Sequence, residues 1–420
     1  MYERTEFYEK VRERLIRYAK VDTQSDRNGA KTPTTDQQFD LARMLFDELR
    51  AIGAEETVFD ERTCVVTAKL PSTLPDGGGM PFGLITHMDT APDAPGANVR
   101  PRVLEAYDGG EILLNAERNI VMSPEEFPNL TQYVGQDLIL TDGTTLLGGD
   151  DKAGIASVMT FAEHLLSHPA ILHGPVSLAF TPDEEVGGLA KDLDLDRFGA
   201  KVAYTIDGDH LGYYMDETFN ASEATLEIKG RSVHPATAKG IMINAADVAG
   251  EFLAMLPRSE KPQYTSGREG FFHVIALNAD VEQAKVVLII RDHDRTCFGH
   301  REAFLKTCAE ALKAQYGAER ISLTIKQSYR NMKEYIDSCP YLIKNLTEAI
   351  RMAGLTPKTE PFRGGTDGSA LSERGLPCPN LSAGYENAHG RFEYVPIQSM
   401  EKNVEILLHL AALFGKMQNE

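Results

Sequence analysis

The chain has 420 residues, of which 42% are hydrophobic and 25% are charged, a composition typical of globular proteins that fold in water. Its 43 lysines and arginines against 62 aspartates and glutamates give a net charge of −19, and no basic run offsets it. Because this charge repels phosphate groups, it argues against nucleic acids and anionic membranes as partners. At roughly 150 residues per domain, the length predicts two or three domains.

The start of the chain and its cysteines indicate the compartment. Residues 1–20 alternate charged with apolar side chains and lack the apolar core of a signal peptide. The longest apolar runs, such as residues 286–290, are too short to span a bilayer. The five cysteines are widely spaced and form no CxxC pair, which argues against a disulfide framework and against a zinc knuckle. We therefore expect a cytoplasmic protein.

The first half of the chain predicts helices alternating with apolar strands. Apolar residues at helical spacing predict one helix around residues 7–18 and a second over 41–52. A third helix is predicted over 152–166. Apolar runs bounded by glycine or proline predict strands over 64–70, 82–86, 137–140, 176–181 and 202–206. Uninterrupted apolar strands between helices predict a sheet that is covered on both faces and parallel at least in part.

The pattern changes near Phe219. Strands are predicted over 225–229, 273–277, 285–291 and 321–326, and helices over 245–256 and 301–316. This β-α-β-β-α-β order is that of a ferredoxin-like unit. Helices over 341–353 and 398–417 then return to the first pattern. We predict an α/β protein in which residues 1–218 and 331–420 form one domain, and residues 219–330 form an inserted ferredoxin-like domain.

Acidic residues and histidines follow several predicted strands. With 62 acids in the chain, chance alone produces roughly nine adjacent acidic pairs, so Asp150-Asp151 and Glu184-Glu185 mean little by themselves. Both pairs follow predicted strands, and open α/β sheets bind ligands at the carboxyl ends of their strands, so both pairs are candidate site residues. Imidazole and carboxylate groups without thiolates suit zinc, manganese or cobalt. Such groups lie in residues 86–90, 147–152, 181–185 and 205–208, and His389 is a further candidate.

Eight segments together resemble the M20 metallopeptidase family and, within it, the tripeptide aminopeptidases. They are THMDT (86–90), LLGGDDKAG (146–154), TPDEEVGG (181–188), YTIDG (204–208), GRSVHPATAKG (230–240), IRDHD (290–294), FRGGTDGS (362–369) and GYENAHGRFEYVP (384–396). They occur in the family's order and span most of the chain. The resemblance implies a mixed-sheet zinc-exopeptidase catalytic domain whose inserted ferredoxin-like domain acts as a lid.

The resemblance also implies a site for two Zn²⁺ ions per subunit, with Mn²⁺ or Co²⁺ as substitutes. In this assignment His87 and Asp207 bind one metal, Glu185 and His389 bind the other, and Asp150 bridges them. A carboxylate has two oxygens, so one aspartate can join ions about 3.5–4 Å apart, and a water held between them becomes a nucleophile near neutral pH.

Catalytic roles follow from the same resemblance. Glu184 is implied to be the general base, and Asp89 to accept the N–H of His87 and so fix its tautomer. His234 of the lid is implied to stabilise the oxyanion formed on the scissile carbonyl. An ordinary turn at Asp89 and an ordinary loop histidine before Pro235 are the alternatives.

Substrate contacts are assigned to three residues of the same segments. Arg291 and Arg363 are candidates for binding the substrate carboxylate, because a guanidinium matches its two oxygens, and Asn244 adds a hydrogen bond. For Arg291, an ion pair with Asp292 or Asp294 explains the residue nearly as well.

The predicted function is therefore a dizinc aminopeptidase that hydrolyses the N-terminal residue from tripeptides through a metal-bridging water. A homodimer through the lid domain is also implied. The alternatives are another M20-type hydrolase (a dipeptidase, a carboxypeptidase or an N-acyl-amino-acid deacylase) and a non-catalytic peptide-binding relative. Two segments depart from the family pattern, Asp209-His210 and Asn387-Ala388, and both lie beside implied metal ligands.

Overall fold

The computed structural model describes residues 4–75 and 77–417. The predicted first domain extends beyond this range at both ends, and residues 1–3, 76 and 418–420 lie outside the described residues. The helices are α1 Tyr8–Ala19, α2 Gln38–Ile52, α3 Gly149–Ser167, α4 Leu195–Phe198, α5 Ala245–Met255, α6 Arg295–Tyr316, α7 Lys333–Ile336, α8 Tyr341–Met352, α9 Asp367–Glu373 and α10 Ile397–Gly415. No helix among these described residues is both long and apolar enough to cross a membrane.

Within residues 4–75 and 77–417, the strands fall into four sheets. They are β1 Glu55–Asp60, β2 Val65–Leu70, β3 Phe82–His87, β4 Arg102–Leu104, β5 Ile112–Asn115, β6 Ile120–Met122, β7 Leu138–Leu140, β8 Val176–Thr181, β9 Ala203–Ile206, β10 Tyr213–Met215, β11 Asn220–Lys229, β12 Phe271–Ala279, β13 Gln283–Asp292, β14 Ile321–Tyr329, β15 Lys358–Thr359, β16 Asn380–Leu381 and β17 Tyr394–Pro396. The chain divides into a larger unit, formed by Met1–Asp216, Glu334–Glu360 and Thr366–Glu420, and a smaller unit, formed by Glu217–Lys333 and Pro361–Gly365.

The larger unit is built on an eight-stranded mixed sheet in the order β1-β2-β8-β3-β9-β16-β10-β15. Strands β8, β3 and β9 are adjacent and parallel, so their carboxyl ends meet at one edge. These three strands are buried along their whole length, as their apolar sequences predict. His87 ends β3, Glu184 and Glu185 follow β8, and Asp207 follows β9. The sheet therefore brings three of the predicted motifs to one edge.

Asp150 reaches the same region by another route. The sequence analysis placed its motif beyond a strand of the main sheet, but β7 belongs to a separate three-stranded sheet with β17 and β4. Asp150 instead lies in the kinked first turn of α3. This helix is apolar on nearly all sides and is buried from Ala153 to Ala162, so it forms the centre of the unit. Because α3 is buried, its packing fixes the position of its first turn and therefore of Asp150.

The smaller unit is the predicted ferredoxin-like fold. Its sheet has the order β12-β13-β11-β14, and each neighbouring pair is antiparallel. On β13 the buried Val286, Leu288 and Ile290 alternate with more exposed residues, so one face of the sheet carries the core of this unit. Helices α5 and α6 contribute Phe252 and Leu305 to that core.

The boundaries of this unit differ from the predicted 219–330. It begins at Glu217, ends at Lys333 and also takes in Pro361–Gly365. Within the added segment, the Gly364 carbonyl accepts a hydrogen bond from the N–H of Phe219 at 3.2 Å. Pro361–Gly365 returns to the smaller unit late in the chain and is too short to show a periodic pattern. The sequence therefore predicts, wrongly, that these residues belong to the first domain.

Gly154 allows α3 to approach the end of β9. A Cβ at this position would lie 2.2 Å from the Ile206 carbonyl oxygen and 2.3 Å from Asp151 Oδ1. Because the Ile206 carbonyl is part of the backbone and can retreat only if the end of β9 moves, we expect Gly154→Ala to lower the free energy of unfolding by about 1–3 kcal/mol. Thermal unfolding of the metal-free protein measures this effect.

Gly250 provides the matched control for this substitution. It lies inside helix α5, and a Cβ there meets no atom within 4 Å. We therefore expect Gly250→Ala to be neutral or to stabilise the protein by up to about 1 kcal/mol, as helix propensity predicts. Equal melting temperatures for Gly154→Ala and the wild type would contradict the close approach of α3.

Candidate metal centre

Asp150 lies between two histidines. Its Oδ1 is 3.0 Å from Nε2 of His87, and its Oδ2 is 3.1 Å from Nε2 of His389. The two oxygens of one carboxylate therefore face two different imidazoles. This is the arrangement expected of a carboxylate that bridges two cations.

Glu185 and Asp207 complete the two sides of this arrangement. Glu185 Oε2 lies 2.9 Å from His389 Nε2, and Asp207 Oδ1 lies 3.9 Å from His87 Nε2. The other oxygen of Glu185 is buried and accepts no hydrogen bond from the described residues. Since a buried carboxylate oxygen without a partner is costly, this atom fits a metal ligand.

Two groups of possible ligand atoms lie close enough together to hold a metal ion. In one group, atoms of His87, Asp150 and Glu185 all lie within 4.8 Å of one another. In a second group, the same holds for His87, Asp151 and Asp207. The donors are imidazole nitrogens and carboxylate oxygens without sulfur, a set suited to zinc, manganese or cobalt.

The electrostatics of the centre also fit bound cations. Burial and the charge of Asp150 raise the pKa of Glu185 to about 8 and that of Asp207 to about 6. Burial opposes ionisation of Asp150 too, but hydrogen bonds from His389 and His87 hold its pKa below the usual range. Several carboxylates are thus packed together with little water around them. Divalent cations would offset this repulsion.

Asp89 holds both the histidine and the acidic loop. The Nδ1–H of His87 donates to the backbone carbonyl of Asp89 at 3.1 Å, and the carboxylate Oδ1 is 3.4 Å away. That carboxylate accepts the backbone N–H of Glu184 at 2.9 Å and of Glu185 at 3.2 Å. Asp89 therefore holds the His87 ring through Nδ1, with Nε2 facing Asp150, and its carboxylate positions the loop after β8.

Glu184 is adjacent to Glu185 in the chain, but different neighbouring charges act on its pKa. Burial, with the nearby charge of Asp367, raises the pKa of Glu184 well above its usual value, although His87 opposes this shift. The backbone at Asp183 is left-handed, with φ of 63°, and starts the short 3-10 turn that carries both glutamates. The two adjacent acids therefore have different surroundings.

Three polar residues that the sequence analysis did not select also lie at the centre. Asp151 is fully buried, and its Oδ2 accepts the backbone N–H of His87 at 3.3 Å. Tyr385 donates its hydroxyl hydrogen to Asp207 Oδ1 at 2.8 Å. Asp367 is buried and accepts from Thr181 at 2.8 Å. All three belong to quoted motifs, which was the available signal, but neither spacing nor periodicity indicates what they contact.

Glu386 connects the loop of Asp207 with the loop of His389. It is buried, accepts from His210 Nδ1 at 2.9 Å and from Asn129 at 2.8 Å, and also accepts the Tyr133 hydroxyl. Asp209 lies on the other side of the His210 ring, 3.7 Å from Nε2. His210 belongs to the Asp209-His210 segment that departs from the family pattern, and its side chain links this loop to Glu386.

This link predicts a pH-dependent contribution to stability. The hydrogen bond to Glu386 raises the pKa of His210 to about 8, above the unfolded value of about 6.5. Its stabilisation is therefore complete below pH ~6.5 and is lost as the pH rises through ~8. We expect the difference in unfolding free energy between wild type and His210→Asn, both metal-free, to be larger at pH 6 than at pH 9.

Glu386→Gln is the matched variant for that measurement, because it removes the charge and keeps the shape. In this background, the difference given by His210→Asn should change less between pH 6 and pH 9, because only burial and the weaker charges around the ring, such as Asp209, still act on the pKa of His210. A wild-type difference that stayed constant from pH 6 to pH 9 would contradict the assigned interaction.

In the smaller unit, His234 and Asn244 both cap short helical segments. His234 is exposed, and its Nδ1 accepts the N–H of Ala236 at 3.2 Å. The Asn244 side chain accepts the N–H of Ala246 at 3.0 Å and begins α5. Because Nδ1 accepts, the neutral ring of His234 carries its hydrogen on Nε2.

The two predicted arginines make contacts within the smaller unit. Arg291 donates to the Ile290 carbonyl at 3.0 Å and to the Ser222 carbonyl at 3.3 Å. Arg363 donates to the carbonyls of Gly267 and Glu269 at 2.7 and 2.9 Å, and to the Thr265 hydroxyl at 2.8 Å. Arg291 is thus held by backbone carbonyls, and Arg363 by the 265–269 loop.

The chain is closely similar in sequence to peptidase T proteins from bacteria. Over 402 residues it is 49% identical to peptidase T of Geobacillus thermodenitrificans, and the alignment covers 96% of this chain and 97% of that protein. The chain belongs to the peptidase T family. Within it, residues 217–320 match the M20 family model described as a peptidase dimerisation domain. The resemblance to M20 metallopeptidases is confirmed.

Two solved structures share the fold of this chain. The aminopeptidase PepT of Bacillus cereus has a TM-score of 0.75 at 20% identity, covering 97% of this chain and 99% of that one. A tripeptidase from Staphylococcus aureus has a TM-score of 0.75 at 21% identity, covering 98% and 99%. These likenesses confirm the predicted fold class, a mixed-sheet exopeptidase domain with an inserted ferredoxin-like domain.

Proposed function

We propose that this chain is a dinuclear zinc aminopeptidase that releases the N-terminal residue of tripeptides. The observation that carries the proposal is the position of Asp150, whose two oxygens each face a different histidine at 3.0 and 3.1 Å. The names of its relatives support the substrate class, since they include peptidase T and a tripeptidase.

The ligands divide between two metals. His87 and Asp207 would hold one Zn²⁺, Glu185 and His389 would hold the other, and Asp150 would contribute one oxygen to each. The close approach of Glu185 to His389, at 2.9 Å, supports the second pair. Manganese or cobalt can replace zinc, because the donor set contains no thiolate.

The residues around these ligands perform the proton transfers. When bound, the two metals polarise the substrate carbonyl and lower the pKa of water toward neutrality. Glu184 takes the proton of the attacking water and transfers it to the leaving amine. Asp89 keeps Glu184 in place, because its carboxylate accepts the backbone N–H of that residue at 2.9 Å.

Residues of the smaller unit bind the substrate. His234 donates its Nε2–H to the oxyanion, a role supported by the bond that its Nδ1 accepts from Ala236. Arg363 binds the C-terminal carboxylate with the guanidinium hydrogens that its contacts with Gly267 and Glu269 leave available. Arg291 and Asn244 support the same substrate. A fixed contact with the C-terminal carboxylate of the substrate limits the length of peptide that can bind, so longer peptides are excluded.

The proposal is tested by the products of a defined peptide mixture. Zinc-loaded protein is incubated with equimolar trialanine, N-acetyl-trialanine, dialanine and pentaalanine, and the products are identified by mass spectrometry beside a chelator-treated control. We expect cleavage of free trialanine to alanine and dialanine, and no cleavage after chelation.

Other products would identify the alternatives. Turnover of the acetylated peptide would indicate a deacylase or carboxypeptidase, and turnover of dialanine a dipeptidase. Bound metal without turnover of any peptide would indicate a peptide-binding relative. Each of these results overturns the tripeptidase assignment.

The partner proposed for the smaller unit is a second copy of the chain. Residues 217–320 match the dimerisation model, and the edge strand β12 exposes Ile275 and Leu277, which are 50% and 47% accessible. Exposed apolar residues on a sheet edge are favourable for pairing. Light scattering should therefore give twice the mass of one chain.

A further inference from the structure

Glu393 holds the backbone that carries Asp150. Its side chain is buried and accepts three main-chain N–H groups. Oε2 accepts from Leu147 at 2.8 Å and from Gly148 at 2.7 Å, and Oε1 accepts from Asp150 at 2.9 Å. Both oxygens of this buried carboxylate thus accept hydrogen bonds from the backbone of residues 147–150, which ends at Asp150.

The loop fits closely around this carboxylate. Gly148 has a φ of 77°, in the left-handed region that favours glycine. A Cβ on Gly149 would lie 2.5 Å from Val395 Cγ2 and 3.1 Å from Glu393 Oε1. Two glycines therefore let the backbone turn over the carboxylate at hydrogen-bond distance, which ordinary side chains would prevent.

Glu393 also belongs to the loop that carries His389. The ends of this loop are joined by Glu386 and Tyr394, whose backbones exchange hydrogen bonds at 2.9 and 3.1 Å. His389 and Glu393 thus lie on one closed hairpin. Through Glu393, the hairpin is tied to the Asp150 loop, and across this connection His389 Nε2 lies 3.1 Å from Asp150 Oδ2.

A carboxylate suits this position better than its amide. Three N–H groups need acceptors on both oxygens, and a glutamine would turn its NH₂ group toward at least one of them. A buried N–H left without an acceptor costs free energy and pushes the loop away. The loop would then move relative to His389, and Asp150 with it.

We propose that Glu393 is a positioning residue that sets the geometry of the bridging Asp150 against His389, and so controls metal affinity without touching the metals. This inference rests on the dinuclear site of the proposed function. It adds a residue that acts only through the main chain of residues 147–150.

The test compares metal binding by Glu393→Gln and Glu401→Gln. Glu401 is the matched control, because it is a buried glutamate of the larger unit that accepts the N–H and hydroxyl of Thr5, both at 2.6 Å. Zn²⁺ affinity is measured by competition with a chromogenic chelator, and ligand geometry by the visible spectrum of the Co²⁺ protein.

For Glu393→Gln we expect about 10- to 100-fold weaker Zn²⁺ binding and an altered Co²⁺ spectrum, the range typical of residues that orient metal ligands. Glu401→Gln should bind both metals like the wild type, even where its melting temperature falls. If Glu393→Gln does not fold, Glu393→Asp is measured in the same way, since it keeps the carboxylate but shortens its reach.

The outcomes separate this inference from the proposed function. Wild-type affinity and spectrum in the folded Glu393 variant would overturn the positioning role alone. An equal loss in Glu401→Gln would show a general effect of buried charge and would also overturn it. Failure of the wild-type protein to bind either metal would overturn the dinuclear site itself, and the inference with it.

Discussion

Replacing Glu184 with glutamine should lower kcat by about 10²–10⁴-fold, the contribution typical of a general base. An amide cannot take the proton of the attacking water, although its shape matches that of the acid. We expect the bound metal to be retained, because the ligand group formed with His87 and Asp150 contains Glu185. Steady-state kinetics with trialanine, together with metal analysis of the same samples, measures both effects.

Glu185→Gln is the matched variant for this experiment. The two residues are adjacent in sequence and their backbone N–H groups both bond to Asp89, so the loop is perturbed equally. Glu185→Gln should lose metal, whereas Glu184→Gln should lose only turnover. If Glu184→Gln also lost its metal, or kept most of the wild-type kcat, the assignment of base and ligand would be wrong.

The parts of this molecule that sequence predicted best are the continuous apolar strands. The prediction of residues 176–181 as a strand coincides with β8, and 82–86 and 202–206 differ from β3 and β9 by one residue. Fully buried parallel strands need apolar residues throughout, so their pattern survives in any context. Their parallel pairing then brings His87, Glu185 and Asp207 to one edge of the sheet.

Long-range polar contacts could not be predicted in this way. Glu393 and Asp150 are 243 residues apart in the chain, and Asn129 and Glu386 are 257 apart. Such pairs meet only because two loops converge, and the sequence around a buried glutamate resembles that around an exposed one. The motif GYENAHGRFEYVP marked the right loop but did not show that Glu386 and Glu393 lie at its base.

The position of Arg363 illustrates the same limit. Its motif was recognised, and the sequence analysis assigned it to the first domain. In the structure its guanidinium bonds to the carbonyls of Gly267 and Glu269, about a hundred residues earlier in the chain, and lies over the ring of Phe271. A segment of five residues contains too few positions for periodicity to indicate which unit it joins.

Replacing Asp150 with asparagine should have the largest effect on the metals. The two oxygens of Asp150 face His87 and His389, and an amide offers one oxygen and one NH₂ group that cannot bind a cation. We expect a loss of Zn²⁺ affinity greater than the about 10–100-fold typical of residues that only orient ligands. Metal analysis after dialysis, in parallel with trialanine turnover, measures the loss.

Asp137→Asn provides the control, because Asp137 is also buried and accepts the Tyr8 hydroxyl at 2.7 Å and the Ala106 N–H at 2.8 Å. This variant should lose stability but keep its metals. A bridging carboxylate predicts that Asp150→Asn weakens both metals together, whereas a ligand of one metal predicts that the second stays bound. Retention of one full equivalent per chain would therefore contradict the bridge, and would move that role to Asp151, whose atoms group with His87 and Asp207.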